Sequence, residues 1–543
     1  MNKVFVVILS FICLVIYAGY LDNGFVFDDK ILVEENPLIK SAHLLPNIFR
    51  TGIYDYWAGM QPYDRMYRPM QMLSYYLDYN LWGLNPAGFR FSNILLHLFN
   101  SILVFYLLIL VFNYKLLAAA SSILFLAHPV HISTVAYISA RGDLLSAFFI
   151  LACCVLFLKF LGSKNYAFYF LSIFAAALAF LSRENALLII FFLTLIILFL
   201  VKNGARFKYL SGFFVLSLVY LAVRFIIFGP SGLAAHTDYI KGALLLFNFF
   251  NIICHYILLL LWPVNLRMFN STVFISQLSI PALLLSIVGL ILILAVILKC
   301  QKIKQPSAVL SFGLFWFLLG IIPVYFYFDA YPALGRALMA ESWLYLPSIG
   351  FCAGFAYLCL LNKRGKLIIV ACVAILGSLV AVNRGYWRND VTFYERALQF
   401  LPQDSIILRN LTTAYIESGD FPKAYEAIKE LEKYYADTPV INLAWGQYYF
   451  ARGQAKEALS YYQRILSKSF SSNYSISLCY AKLGDLDKAI AFSRVSFTQN
   501  PFFQKNIIQL ARLYNKTGQL EQANKYLLLA KQLDPKGRYV LLK

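Results

Sequence analysis

Hydrophobic runs long enough to cross a bilayer recur from Val4 to Val382 and then stop. About 20 apolar residues span the ~30 Å hydrocarbon core as a helix, and only helices or closed barrels satisfy their own backbone groups there. After about Arg384 the pattern changes to charged, alanine-rich, amphipathic segments. The chain therefore reads as all-α. A polytopic membrane helix bundle over 1–385 is followed by a water-facing domain over 386–543. The 60% hydrophobic content is far above the soluble norm.

The net charge of +20 is spread over both parts, with basic residues clustered in short loops. That distribution is a topology signal, the excess of Lys and Arg in cytoplasmic loops, and not a nucleic-acid footprint. The basic loops carry Lys115, then Lys159 and Lys164, then Lys202, Arg206 and Lys208, then Lys299, Lys302 and Lys304, then Lys363, Arg364 and Lys366. If all face the cytoplasm, an even number of crossings separates each neighbouring pair. Between Lys208 and Lys299 lie three hydrophobic stretches, at about 209–228, 243–262 and 280–298. The middle one contains Asn248, Asn251 and His255 and ends at Trp262-Pro263, so it is read as re-entrant or interfacial. The expected total is about eleven spans. Lys3 places the amino terminus in the cytoplasm, with the first helix an uncleaved anchor, and the carboxyl-terminal domain then lies outside. The loops around Asp28, His128, Arg183, His236 and Arg336 fall on that same outer face.

A repeat is plain after Pro402. Tyr415, Gly419 and Ala424 recur as Tyr449, Gly453 and Ala458, as Tyr480, Gly484 and Ala489, and as Tyr514, Gly518 and Ala523. The spacings of 34, 31 and 34 residues are the tetratricopeptide period, in which Tyr and Ala pack helix on helix and Gly allows the turn. The short step predicts a trimmed second helix after Tyr461. Trp387 to Pro402 reads as a half repeat ahead of four full ones. Such α-solenoids bind extended peptide or another protein, or serve as a structural cap. Eight of the nine cysteines lie in or beside hydrophobic segments, and Cys479 is alone in the repeat domain, so no disulfide framework exists there.

The most chemically suggestive residues follow the first span, in Asn23-Gly-Phe-Val-Phe-Asp-Asp-Lys30. A carboxylate at the outer membrane surface can take a proton from a water-borne acceptor beside a lipid-borne donor. The alternative is a solvated turn after an anchor. Asp28 and Asp29 are neighbours, so in extended chain their side chains point opposite ways and they do not share one proton. The long outer loop from 22 to about 91 also holds 38–56, whose mix of apolar and polar residues suits a helix lying on the membrane.

Six stretches together resemble the bacterial relatives of the transmembrane and tetratricopeptide-repeat-containing O-mannosyltransferases, which are GT-C-type glycosyltransferases. They are Phe25-Val-Phe-Asp-Asp29; Tyr67-Arg-Pro-Met70 with Leu77-Asp-Tyr and Leu81-Trp-Gly-Leu-Asn-Pro86; Asn93-Ile-Leu-Leu-His97-Leu-Phe-Asn100; His128-Pro-Val-His131 with Arg141-Gly-Asp143; Ser182-Arg-Glu184; and Leu344-Tyr-Leu-Pro-Ser-Ile-Gly-Phe351. The resemblance implies sugar transfer, with mannose expected, from a polyprenyl-phosphate donor to an acceptor on the extracytoplasmic face of a bacterial plasma membrane. The acceptor would be a protein hydroxyl, or else a lipid or polysaccharide. A non-catalytic scaffold with the repeats as its working part is the alternative. The family's acidic pair matches Asp28 and Asp29. Ser133 stands where the family commonly has a glutamate, Arg183 where it has a lysine, and Ser342 where it has an arginine after Glu341.

A lipid phosphate is already a good leaving group, so one carboxylate base suffices, and attack opposite it inverts the anomeric centre. Asp29 is slightly favoured as base, with Asp28 orienting the acceptor, a cation or the loop. The leaving phosphate calls for fixed cations, for which Arg68, Arg141, Arg183, Arg224 and Arg336 are candidates. Arg224 lies inside a span, where an arginine marks a pathway or ion partner or snorkels to the interface. Glu184 beside Arg183 binds substrate or caps a helix. His128 and His131, three apart, are candidates for a metal, for substrate hydrogen bonds or for structure. Whether a divalent cation is required stays open. The stripe of Asn93, His97 and Asn100 is expected to hydrogen-bond neighbouring helices.

Overall fold

The computed structural model describes residues 2–57, 66–200, 204–229, 243–268, 270–273, 308–327, 330–331, 336–436 and 438–537. It divides into two compact units, one of Met1–Asp22 with Ala87–Arg384, the other of Asn23–Pro86 with Gly385–Lys543. One division falls between Arg384 and Gly385. The long loop, however, does not go with the spans that flank it, since 23–86 is built into the unit that holds the repeats.

In the first unit, five described helices are long and apolar enough to cross a membrane: Lys3–Asp22, Pro86–Phe112, Ile138–Ser163, Arg206–Phe228 and Gly365–Trp387. Lys115–Ala127 and Pro129–Val135, bent by 52°, make a sixth if they are one span. Tyr166–Phe180, Glu184–Phe199, Asn248–Leu261, Ala308–Pro323 and Ser348–Leu360 are apolar but shorter. The length of a hydrophobic run overstates α-helix length where the run begins in 3-10 turns, as Glu184–Leu188 does ahead of Ile189–Leu200. The stretch expected to be re-entrant is one unbroken helix, Ala243–Leu261, and the expected span at 280–298 lies outside the described residues. Beside the helices stands a small antiparallel sheet in which Arg336–Met339 runs between Asn270–Val273 and Ala330–Tyr331.

Packing in this unit follows the solvent it is built for. Phe170, Ile226 and Val370 stand outward on their helices, apolar and exposed, as lipid requires and water would punish. The polar stripe of Pro86–Phe112 turns inward. Asn93 Nδ2 donates to the carbonyls of Val135 and Tyr137, and Asn100 Nδ2 donates to Leu144 O and Tyr345 Oη. His97 Nδ1 lies 2.7 Å from Tyr345 Oη. Ala308–Tyr327 and Ser348–Leu360 cross at Gly313 and Gly350, where a Cβ on Gly313 would sit 2.5 Å from Gly350 O. Small residues of this kind let membrane helices approach closely.

The second unit is the solenoid with the loop laid on it. Asp390–Leu398 forms the half repeat. Four helix pairs follow: Ser405–Ser418 with Phe421–Tyr435, Pro439–Ala451 with Ala455–Gln463, Phe470–Leu483 with Leu486–Gln499, and Gln504–Lys516 with Leu520–Leu533. The trimmed helix is Ala455–Gln463, with 9 residues against 14 or 15 in its counterparts. Each recurring alanine is buried, and in the last three repeats the recurring tyrosine stacks on an aromatic ring of the second helix. Tyr449 lies on Tyr461 at 5.5 Å, Tyr480 on Phe492 at 5.6 Å, and Tyr514 on Tyr526 at 5.7 Å. Gly419 and Gly484 end their helices at φ 79° and 87°, a left-handed turn that disfavours a side chain.

Residues 38–56 do not form the expected membrane-surface helix. They make 3-10 turns at Pro37–Ile39 and Ala42–Leu44 and a single α turn at Leu45–Ile48. Leu38, Ile39, Ile48, Ile53 and Tyr56 are buried in protein, so little apolar face remains for lipid. The loop is tied to the repeats along its length. Trp57 sits edge-on to Phe470 and Phe503, and its carbonyl accepts from Asn500. Lys505 pairs with Glu35, Tyr79 Oη donates to Asp534 at 2.6 Å, and Lys536 Nζ donates to the Asn80 carbonyl.

A test of the repeat packing lies at Gly446, where an added Cβ would meet the buried Tyr462 ring, with Cζ at 2.8 Å. Gly446→Ala is expected to cost about 1–3 kcal/mol through overpacking. The loss is read as a lower melting temperature of the full chain in detergent, and an unchanged melting temperature would mean that this seam has slack.

Candidate functional site

Chemistry-bearing residues gather in both units. In the second, the backbone of Phe27 is left-handed, at φ 51°, an uncommon conformation for a residue with a bulky side chain. It turns the chain so that the two following carboxylates find different partners. Asp29 is fully buried, accepts the Val26 N–H at 3.3 Å, and opens the helical turn Lys30–Glu34. Asp28 is partly exposed, and its Oδ2 accepts from Tyr54 Oη at 2.8 Å. The half repeat holds the residues around the pair. Gly24 N–H donates to Arg388 O at 2.8 Å, and Phe27 N–H donates to Asp390 Oδ1 at 3.0 Å. The Phe27 ring stacks on Phe393 at 6.0 Å and meets Tyr394 edge-on. Lys30 Nζ reaches Asp390 Oδ2 at 2.6 Å and Glu417 Oε2 at 2.8 Å. Burial alone would pull the Lys30 pKa down, but hydrogen bonds and charge from Asp390 and Glu417 outweigh it and hold the ammonium above its usual range. Arg68 is also in this unit, buried, with its carbonyl accepting from Gln71 and Met72 as the helix Pro69–Trp82 begins.

In the first unit Arg141, Arg183 and Arg224 each meet polar partners inside the protein. Arg141 Nε donates to Asn93 Oδ1 at 2.7 Å and Nη2 donates to Phe89 O at 2.6 Å. Arg183 pairs with Asp143, while Ser146 Oγ donates to Asn185 Oδ1. Arg224 Nη1 lies 3.2 Å from Glu184 Oε1 and 3.4 Å from Tyr220 Oη, so it pairs inside the bundle with an acid. Asp143 and Tyr220 are partners that sequence reasoning had not named as site residues. Asp143 stood in the Arg-Gly-Asp stretch, and Tyr220 lies one helical turn before Arg224.

His128 and His131 each hydrogen-bond within the protein. His128 Nε2 lies 3.0 Å from Leu260 O, and its Nδ1 accepts from Val130 N–H. His131 Nε2 lies 2.9 Å from Ser348 Oγ. Both His128 ring nitrogens are thereby committed, and no group of three or more His, Cys, Asp or Glu suited to a metal occurs among the described residues. Ser133 is buried, so the shorter side chain spares this site an enclosed carboxylate. Glu341 is buried and accepts the Arg267 N–H. Arg336 takes its place in the sheet opposite Val273 and Tyr331, and His236 lies outside the described residues.

Over most of its length the chain aligns with proteins named for one activity. It is 27% identical over 429 residues to the protein O-mannosyl-transferase F38B6.6 of Caenorhabditis elegans, covering 76% of this chain and 60% of that protein. It is 25% identical over 488 residues to the protein O-mannosyl-transferase TMTC4 of Homo sapiens, covering 76% and 64%. With TMTC3 of Homo sapiens it shares 22% over 593 residues, covering 95% and 63%. The chain is similar to protein O-mannosyl-transferases over most of its length. It spans about three fifths of the length of these curated relatives. The tetratricopeptide repeat family matches residues 470–498 and 505–536, which are the third and fourth helix pairs. With its apolar helices the chain is a membrane protein carrying a tetratricopeptide solenoid. Among solved structures, that of Cut9–Hcn1 aligns at 13% identity over 84% of this chain and 89% of that one, at a TM-score of 0.27.

The Arg224–Glu184 pair is buried on both sides, so removing one partner strands the other. Arg224→Met or Glu184→Leu alone is expected to cost about 3–5 kcal/mol. The double change Arg224→Met with Glu184→Leu should recover much of it in thermal unfolding in detergent. Losses that simply add would show that the two act apart.

Proposed function

We propose that this protein is an integral membrane glycosyltransferase. It moves a sugar, mannose by the names of its relatives, from a polyprenyl-phosphate donor to a protein hydroxyl on the extracytoplasmic face. The observation that carries the reading is the acidic pair, built so that one carboxylate is enclosed by its own loop and the other is partly open beside Tyr54. Likeness to proteins named protein O-mannosyl-transferases supports it.

The roles divide by environment. Asp28 is the base, which reverses the slight preference for Asp29, because Asp29 is buried and spends an oxygen on the Val26 N–H. The acceptor oxygen attacks the anomeric carbon, and the bond from that carbon to the phosphate oxygen breaks. Polyprenyl phosphate leaves with the electron pair, and Asp28 takes the hydroxyl proton. The configuration inverts. Arg68, Arg141, Arg183, Arg224 and Arg336 are the cations we assign to the departing phosphate, with Glu184 holding Arg224 in place. His128 and His131 support the fold, and a divalent cation, where transfer needs one, would be held by the donor phosphate. The repeats recruit the protein acceptor or a partner, as solenoids of this kind do.

Membranes expressing the chain, given radiolabelled polyprenyl-phosphate mannose with and without chelator, should transfer label to protein. Asp28→Asn should reduce transfer by about 10²–10⁴-fold, the usual contribution of a general base. Full transfer by Asp28→Asn would remove the proposed mechanism.

A further inference from the structure

We infer that Asp390 is a positioning residue for the acidic pair, and that one working partner of the repeat domain is this chain's own loop. The inference rests on the transferase reading for its consequence, and on geometry alone for the clamp. Asp390 lies 363 residues from Phe27, yet its two carboxylate oxygens grip both sides of the pair. Oδ1 accepts the Phe27 N–H at 3.0 Å, and Oδ2 takes the Lys30 ammonium at 2.6 Å. Asp28 and Asp29 are the two residues between.

The grip falls where the backbone most needs one. A left-handed Phe27 is held at a cost in conformational energy, and such conformers persist only when their surroundings over-determine them. Here the surroundings are the Asp390 acceptor, the Phe393 and Tyr394 rings against the Phe27 ring, and the Gly24 to Arg388 hydrogen bond. All four come from one stretch, 388–394, the start of the half repeat. Glu417, in the first helix of the first full repeat, takes the other side of Lys30. The more ordinary role for Asp390 is that of an acid in the first turn of the helix Asp390–Leu398, where it complements the helix dipole. Asn389 already caps that helix, and both Asp390 oxygens point to loop atoms. Asp487 offers the comparison: it occupies the first turn of Leu486–Gln499 and is exposed.

The experiment compares the full-length protein in detergent or nanodiscs with Asp390→Ala, Asp390→Asn, Asp390→Glu and Asp487→Ala. Two readouts are taken, amide hydrogen exchange over 23–36 and transfer kinetics from polyprenyl-phosphate mannose. Asp390→Ala is expected to speed exchange in that segment at least tenfold and to lower kcat at least tenfold, with the donor KM within about twofold. Asp390→Asn keeps an acceptor for the Phe27 N–H and loses the charge facing Lys30, so it should fall between alanine and the parent. Asp390→Glu should recover part of kcat, and Asp487→Ala should change neither readout. Unchanged exchange in Asp390→Ala overturns the clamp. Faster exchange with unchanged kcat overturns the positioning role. Faster exchange in a protein whose parent transfers no sugar overturns the transferase reading alone and leaves the clamp standing. Should Asp390→Ala fail to fold, Lys30→Met, which removes only the charged half of the grip, is expected to give the same pattern at smaller size.

Discussion

Hydrocarbon supplies no hydrogen-bond partner, and the membrane unit is arranged around that lack. Every polar group carried into it must be met by protein. Arg141 is met by Asn93 and the Phe89 carbonyl, Arg183 by Asp143, and Arg224 by Glu184 and Tyr220. His97, Asn100 and Tyr345 satisfy one another between helices. These contacts do two things together. They let charged residues persist inside the unit, and they fix the register of helices that apolar packing alone leaves free to slide.

Water imposes the opposite arrangement on the other unit. Its helices bury alanines and, in the last three repeats, stack tyrosines on a facing ring, and its charged residues stay at the surface or pair with the loop. The loop makes the unit more than a solenoid. Lys30 meets Glu417, Glu35 meets Lys505, Trp57 fits against Phe470 and Phe503, and Tyr79 reaches Asp534, so contacts reach the first, third and last repeats. A surface of the kind that commonly binds a separate peptide is partly occupied by a segment of the same chain. The residues on either side of the acidic pair are thereby held by helices of the solenoid and not by the loop alone.

Local signals were read well from the residues. The Tyr, Gly and Ala recurrences marked all four helix pairs, and the short step marked the trimmed helix Ala455–Gln463, because each repeat makes its main contacts within itself and with its neighbour. The inward stripe of Asn93, His97 and Asn100 was legible from helical spacing. Span lengths were less so, since an apolar run does not reveal where it passes from α-helix to 3-10 turn. The 38–56 stretch misled for a related reason: mixed apolar and polar residues suit a membrane surface and a protein surface equally, and only the partner tells them apart.

By itself the sequence determined that this chain enters a membrane, that a helical solenoid follows, and that two neighbouring acids stand just beyond the first span. Each of these is written within a few dozen residues, in run length, period or adjacency. Only the tertiary structure decided which unit owns the loop, which acid is enclosed, and which residues hold the pair. Those answers depend on contacts such as Phe27 with Asp390, 363 residues apart, and Arg224 with Glu184. No local pattern encodes such a contact, because its free energy arises only when the whole chain has brought the two ends together.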